Sequence, residues 1–185
     1  LTAAEIVDQV LLAGRVLGRR VDNVVLMGIG EPLLNLDAVV PALETLCDEA
    51  AVGLSARRIT VSTSGIVPGI RELAACAHPW NLALSLHAPT DAGRADLIPP
   101  EFRYPLGEIF AACRAYAKSA NRKITLEYAL IEGKNDTADD AKAVAKIAND
   151  LHAKVNLIPH NPVGSGHNAP GGGRLPPGRH RAHRH

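Results

Sequence analysis

The apolar positions of this chain follow two rhythms, a helical one and short unbroken runs. Thr2-Ala3-Ala4-Glu5 has the form of a capping box, and Ile6, Val7, Val10, Leu11 and Leu12 follow at helical spacing to about Leu17. Val24 to Met27 is a short apolar run, which predicts a buried strand. Leu36 to Ala51 predicts a helix with Val39, Val40, Leu43 and Leu46 on one face. The β-branched Ile59-Thr60-Val61-Ser62 predicts a second strand ending in Thr63-Ser64-Gly65, and Ile66 to Ala77 a helix with Pro68 in its first turn. Leu82 to Leu86 predicts a third strand, Leu106 to Ala120 a helix, and Ile124 to Leu130 a fourth strand. Thr137 is placed to cap a helix through Asp150, with Asp139 and Asp140 favourably near its N-terminus, and Val155 to Pro159 predicts a fifth strand.

The order is a helix, then strand and helix four times, then a strand. Each crossover is long enough for a parallel βαβ unit, and short apolar strands suit a sheet covered on both faces. The fold class is therefore α/β, a βα barrel or part of one; periodicity leaves a doubly wound open sheet as the alternative. From Pro162 the periodicity stops. Residues 163–185 contain six glycines and end in Arg179-His180-Arg181-Ala182-His183-Arg184-His185, a composition that predicts a disordered tail. The domain division expected is 1–162 and 163–185.

Composition narrows this picture. Aromatic residues are 3% of the chain, which argues against an aromatic base-stacking platform. The net charge is +1, but four arginines and no acidic residue follow Asn161, so residues 1–161 carry a net −3. No apolar run has transmembrane length, and no signal peptide is visible. Cys47, Cys76 and Cys113 lie 29 and 37 residues apart, neither a metal-ligand spacing nor a disulfide framework. All three fall in helical, apolar contexts, so buried thiols in a reducing compartment are expected.

Polar residues recur at the carboxyl ends of the strands: Gly30 and Glu31, then Ser62, Thr63 and Ser64, then Ser85 and His87, then Glu127, then Asn161. In a βα barrel these ends converge on one mouth. Each has a structural alternative. Glu31 suits a solvated turn, the serines a helix cap, His87 a hydrogen-bonded structural role, and Asn161 a turn before Pro162. Glu127 suits pairing with a lysine or arginine of a neighbouring strand. Taken together the set suits a zwitterionic, ribose-bearing ligand. A carboxylate beside exposed glycine backbone holds an amino group, and serine and asparagine hold a carboxylate and hydroxyls. Neither G-x-G-x-x-G opening a helix nor G-x-x-x-x-G-K-[ST] is present, and no Ser-His-Asp or Cys-His set can be placed.

Four strings carry a resemblance. Met27-Gly28-Ile29-Gly30-Glu31-Pro32-Leu33-Leu34-Asn35, Ser62-Thr63-Ser64-Gly65, Leu84-Ser85-Leu86-His87-Ala88 and Asn156-Leu157-Ile158-Pro159-His160-Asn161-Pro162 resemble the radical S-adenosylmethionine rRNA methyltransferases of the RlmN/Cfr type, most closely the adenine-C2 branch. The resemblance implies a partial radical-S-adenosylmethionine barrel acting on C2 of an adenine in 23S rRNA, and in some members tRNA. It implies S-adenosylmethionine and a [4Fe–4S] cluster as cofactors, an electron donor as a further partner, a monomer, and cytoplasmic residence without a membrane. Carried over by position, the contacts implied for S-adenosylmethionine are Gly30, Glu31, Ser62, Ser85, Leu86, His87 and Asn161.

The departures are as specific. The family's C-x-x-x-C-x-x-C cluster string, its acceptor cysteine near the C-terminus and its N-terminal accessory domain are not in these 185 residues. The expectation is the middle of such an enzyme, truncated at the front and shifted out of frame near residue 163, inactive alone but able to bind S-adenosylmethionine weakly. The rivals are another radical S-adenosylmethionine enzyme sharing the barrel, and a non-catalytic binding module or remnant.

Overall fold

A computed structural model describes residues 1–159. Six helices, α1 (Ala3–Leu17), α2 (Leu36–Cys47), α3 (Val67–Ala75), α4 (Asp91–Ala95), α5 (Leu106–Ala120) and α6 (Ala138–Asp150), accompany five strands. These are β1 (Val24–Leu26), β2 (Ile59–Thr63), β3 (Asn81–Ser85), β4 (Thr125–Leu130) and β5 (Lys154–Pro159). All neighbouring strands are parallel, and their order in the sheet is their order in the chain. A doubly wound sheet reverses its strand order at a switch point; this one does not, so the molecule is part of a βα barrel.

The register separates two faces. Leu26, Val61 and Leu82 share one row, and Thr63, Leu84, Leu126 and Val155 share another. Val61, Leu82, Leu84 and Leu126 of these rows join Leu43, Leu46, Ile70, Leu73, Ile109 and Tyr116 of the helices in one core, while Val155 on the outermost strand is left exposed. The intervening rows, Val25 apart, are polar or small. Ser62 aligns with Ala83 and Thr125, and Ser85 with Glu127 and Asn156. Side chains alternate along a strand, so this second set occupies the face opposite the helices.

Local chemistry explains most boundaries. Thr2 and Glu5 form the expected reciprocal cap; Thr137 caps α6 as expected, and Asp140, expected only as a favourable charge near the helix start, makes that cap reciprocal too. The second helix stops at Cys47, four residues before the expected Ala51, because the Asp48 carboxylate accepts the Ala50 N–H and begins a turn. The short α4 is additional to the pattern predicted from sequence. Of the cysteines, only Cys113 is buried, in the middle of α5, where desolvation pushes its thiol up to about 12. Cys47 and Cys76 are half-buried instead, because each sits at a helix C-terminus near the rim. Among the described residues no helix is long and apolar enough to cross a membrane. The expected tail, 163–185, and Asn161 lie outside the described residues.

Candidate functional site

Strand β1 leads through Met27 into a loop whose Gly28 and Gly30 have φ of 137° and 102°, conformations that only glycine adopts without strain. Nothing lies within 4 Å of where a Cβ would stand on either, so this backbone is open to an incoming group. Glu31 follows. Its Oε1 accepts the Leu33 N–H at 3.2 Å, capping the 3₁₀ turn Pro32–Leu34. Its Oε2 accepts both the N–H and the Oγ–H of Ser64, each at 2.8 Å. The carboxylate thus ties the end of β1 to the end of β2. It is half-buried and bonded, not the solvated turn residue of the structural alternative.

At the end of β2, Thr63 Oγ1 accepts the Gly65 and Ile66 N–H groups and steadies the entry into α3. Ser62 lies nearly buried in the polar row of the sheet. The Ser64 carbonyl accepts from the guanidinium of Arg94 on α4, a residue absent from the sequence-based set.

The third strand delivers Ser85 into register with Glu127 and Asn156. Leu86 is fully buried, so only its backbone faces the site, and its N–H donates to the Glu127 carbonyl. His87 has φ of 53°, a left-handed conformation uncommon for a side-chain-bearing residue. Three bonds hold it there. Its N–H donates to the Glu127 carbonyl at 3.3 Å, its Nδ1 accepts the Ala129 N–H at 3.1 Å, and its carbonyl accepts from Asn135 Nδ2 at 2.6 Å. Because Nδ1 is an acceptor, the neutral ring carries its proton on Nε2.

Burial pushes the His87 pKa below its ordinary 6.5, and the nearby Arg94 guanidinium pushes it the same way. The unfolded chain therefore binds this proton more tightly than the folded one. Stability is unaffected well above pH 6.5 and falls as pH drops through 6.5 towards the lower folded value. His87→Asn tolerates a positive φ and removes this component. The urea midpoint should fall less in the variant than in the parent between about pH 7.5 and 5.5. Equal falls in both proteins would remove His87 from the acid response.

Glu127 is buried, and its partner is neither a lysine nor an arginine. Asn156 Nδ2 donates to Glu127 Oε2 at 2.6 Å, because the register sets Asn156 beside Glu127 and leaves Lys154 two residues lower, beside Thr125. Asn135, in the loop after β4, is the other residue that sequence reasoning missed. Besides the His87 carbonyl it serves the Ala129 carbonyl and the Ile131 N–H, both at 2.7 Å. An Asn-Asp pair in a loop carries no signal beyond a turn.

The described residues do not fit an iron–sulfur cluster. No three His, Cys, Asp or Glu side chains converge among them, and the three thiols lie on or beside different helices. They do fit a zwitterionic ligand, with an open glycine backbone beside a fixed carboxylate.

No family model matches the chain. Among curated proteins, it is 50% identical over 165 residues to the probable dual-specificity RNA methyltransferase RlmN of Symbiobacterium thermophilum, covering 88% of this chain and 44% of that one. The protein of the same name in Moorella thermoacetica is 49% identical over 172 residues, covering 90% and 49%. A dual-specificity RNA methyltransferase RlmN 1 of Myxococcus xanthus is 46% identical, covering 88% and 46%. Among solved structures, a radical SAM methyltransferase from Sphaerobacter thermophilus superposes with a TM-score of 0.81 at 47% identity, over 88% of this chain and 48% of that one. A second structure, anSMEcpe with bound AdoMet, shares the fold at 16% identity and a TM-score of 0.55, over 84% of this chain and 40% of that one. The chain spans about half the length of the curated relatives it matches. Over that half, the glycine loop, the Glu31 clamp and the parallel strand ends sit in a sequence that is similar to the RlmN RNA methyltransferases and in a fold shared with a radical SAM methyltransferase.

Proposed function

We propose that these residues form the S-adenosylmethionine-binding part of an enzyme that methylates C2 of an adenine in 23S rRNA, and in tRNA as well. The observation that carries the reading is the Glu31 carboxylate, fixed by Ser64 beside open glycine backbone at the end of a parallel strand. S-adenosylmethionine, when bound, would supply the methyl group that is transferred and the adenosyl group that removes a hydrogen atom. Glu31 and the Gly30 backbone accept the ammonium protons of its methionine end. Ser62 and Ser85 bind its carboxylate and ribose hydroxyls, and the Nε2–H of His87 donates to an acceptor on the same ligand. The Leu86 backbone and Asn161, which lies outside the described residues, complete the set. The [4Fe–4S] cluster and the electron donor of such an enzyme are part of the proposal, but the described residues offer no ligand set for the cluster. Monomeric, cytoplasmic action goes with the same reading.

Equilibrium dialysis of this chain against labelled S-adenosylmethionine tests it. Glu31→Gln removes a charge-assisted contact worth about 1.5–3 kcal/mol, so affinity should fall about tenfold or more. A parent chain that fails to bind S-adenosylmethionine at millimolar concentration overturns the reading. Equal affinities of parent and variant would remove Glu31 from the ligand contacts.

A further inference from the structure

The described part of the chain holds one buried guanidinium. Arg94, in the last turn of α4, is 2% exposed. Its terminal NH2 donates to the Ser64 carbonyl, while its Nε is buried without a partner among the described residues. No carboxylate among them lies within ion-pair distance. The nearest acid along its own helix, Asp91, is engaged in accepting the Leu106 N–H at 2.8 Å. A buried cation without a counter-ion is a net cost to the fold, and replacing it by an apolar side chain of similar volume is often neutral or stabilising. Stability therefore does not account for Arg94.

Its one bond points elsewhere. The Ser64 carbonyl belongs to the peptide that enters Gly65, whose φ is 107°. Glycine leaves that peptide free to rotate. Arg94 holds its oxygen and Thr63 Oγ1 holds its N–H, at 3.0 Å. With this peptide fixed, the Ser64 N–H and Oγ–H both aim at Glu31 Oε2. We infer that Arg94 is a positioning residue of the ligand site: through the Ser64 carbonyl it sets the orientation of the Glu31 carboxylate. The inference rests on the proposed S-adenosylmethionine site and adds a residue that does not touch the ligand.

Arg94→Met in the full 185-residue chain separates this role from a structural one. The urea midpoint should stay at or above that of the parent. Amide exchange at Ser64 should quicken about tenfold, with the β2 core amides unchanged, and the S-adenosylmethionine dissociation constant should rise about tenfold. In a Glu31→Gln background the same change should have no further effect on affinity. Arg94→Lys, which keeps a donor for the Ser64 carbonyl, should restore most of the affinity and the Ser64 protection; it also carries the test if Arg94→Met proves unstable. Unchanged Ser64 exchange, or an affinity loss as large with Glu31→Gln as without it, overturns the role of Arg94. A parent chain that does not bind S-adenosylmethionine overturns the functional reading as well, whereas a parent that binds and variants that match it overturn this inference alone.

Discussion

Replacing Asn135 with alanine is expected to destabilise the protein by about 3–4 kcal/mol, the cost of leaving three partly buried backbone groups unpaired. Asn135 is 3% exposed, and its side-chain amide serves three such groups at once, the His87 and Ala129 carbonyls and the Ile131 N–H. All three groups lie in partly buried residues, so losing the amide leaves them only partial access to water. Its own carbonyl accepts from Tyr128 Oη at 2.9 Å, so the loop is pinned from both sides. Asn135→Asp is the informative companion. It keeps an acceptor for Ile131 but turns an anion towards two carbonyl oxygens, so at neutral pH it should be at least as damaging as alanine and should recover as pH falls through the carboxylate range. Both variants should also weaken S-adenosylmethionine binding, because the left-handed backbone at His87 loses its restraint. Urea unfolding measures the first effect and dialysis the second. A loss of under about 1 kcal/mol in Asn135→Ala would mean that water replaces the amide.

How much of this was legible in the sequence depended on whether the signal was local. The strands announced themselves as apolar runs, and the helix caps as Thr2/Glu5 and Thr137, because both depend on neighbours within four residues. Glu31, Ser62, Ser85 and His87 were visible as polar residues at strand ends. Their partners were not. That Glu31 binds Ser64, 33 positions on, and that Glu127 binds Asn156 instead of a cation, are consequences of strand register, which no local pattern encodes. Arg94 was hidden for another reason. Asp91-Ala92-Gly93-Arg94-Ala95 is too short and polar to show a period, and an arginine in such a stretch looks solvated. The resemblance proposed which residues meet a ligand; the geometry supplied what holds them.

That geometry makes Gly69 a second sensitive point, and here the sign of the effect is the test. Gly69 lies within α3, where alanine normally improves a helix by about 1 kcal/mol. A Cβ at Gly69 would stand 2.6 Å from Leu33 Cβ and 2.9 Å from the Leu33 carbonyl oxygen. These are backbone or backbone-adjacent atoms, so no flexible side-chain tip can swing aside. Leu33 is buried, and its N–H is the one that Glu31 Oε1 accepts, so the turn that must move is the turn that holds the carboxylate. Overpacking of this kind costs about 1–3 kcal/mol, enough to cancel the propensity gain and leave a net loss of up to about 2 kcal/mol. Gly69→Ala should therefore lower the urea midpoint and weaken S-adenosylmethionine binding together. Gly107→Ala, near the start of α5 with nothing within 4 Å of its Cβ position, is the control; it should raise stability by about 0.5 kcal/mol and leave binding unchanged. If both alanines stabilise, α3 does not press on the Glu31 turn, and the carboxylate is held by Ser64 alone. If only Gly107→Ala does, the packing of α3 against Leu33 is itself part of what presents Glu31 to its ligand.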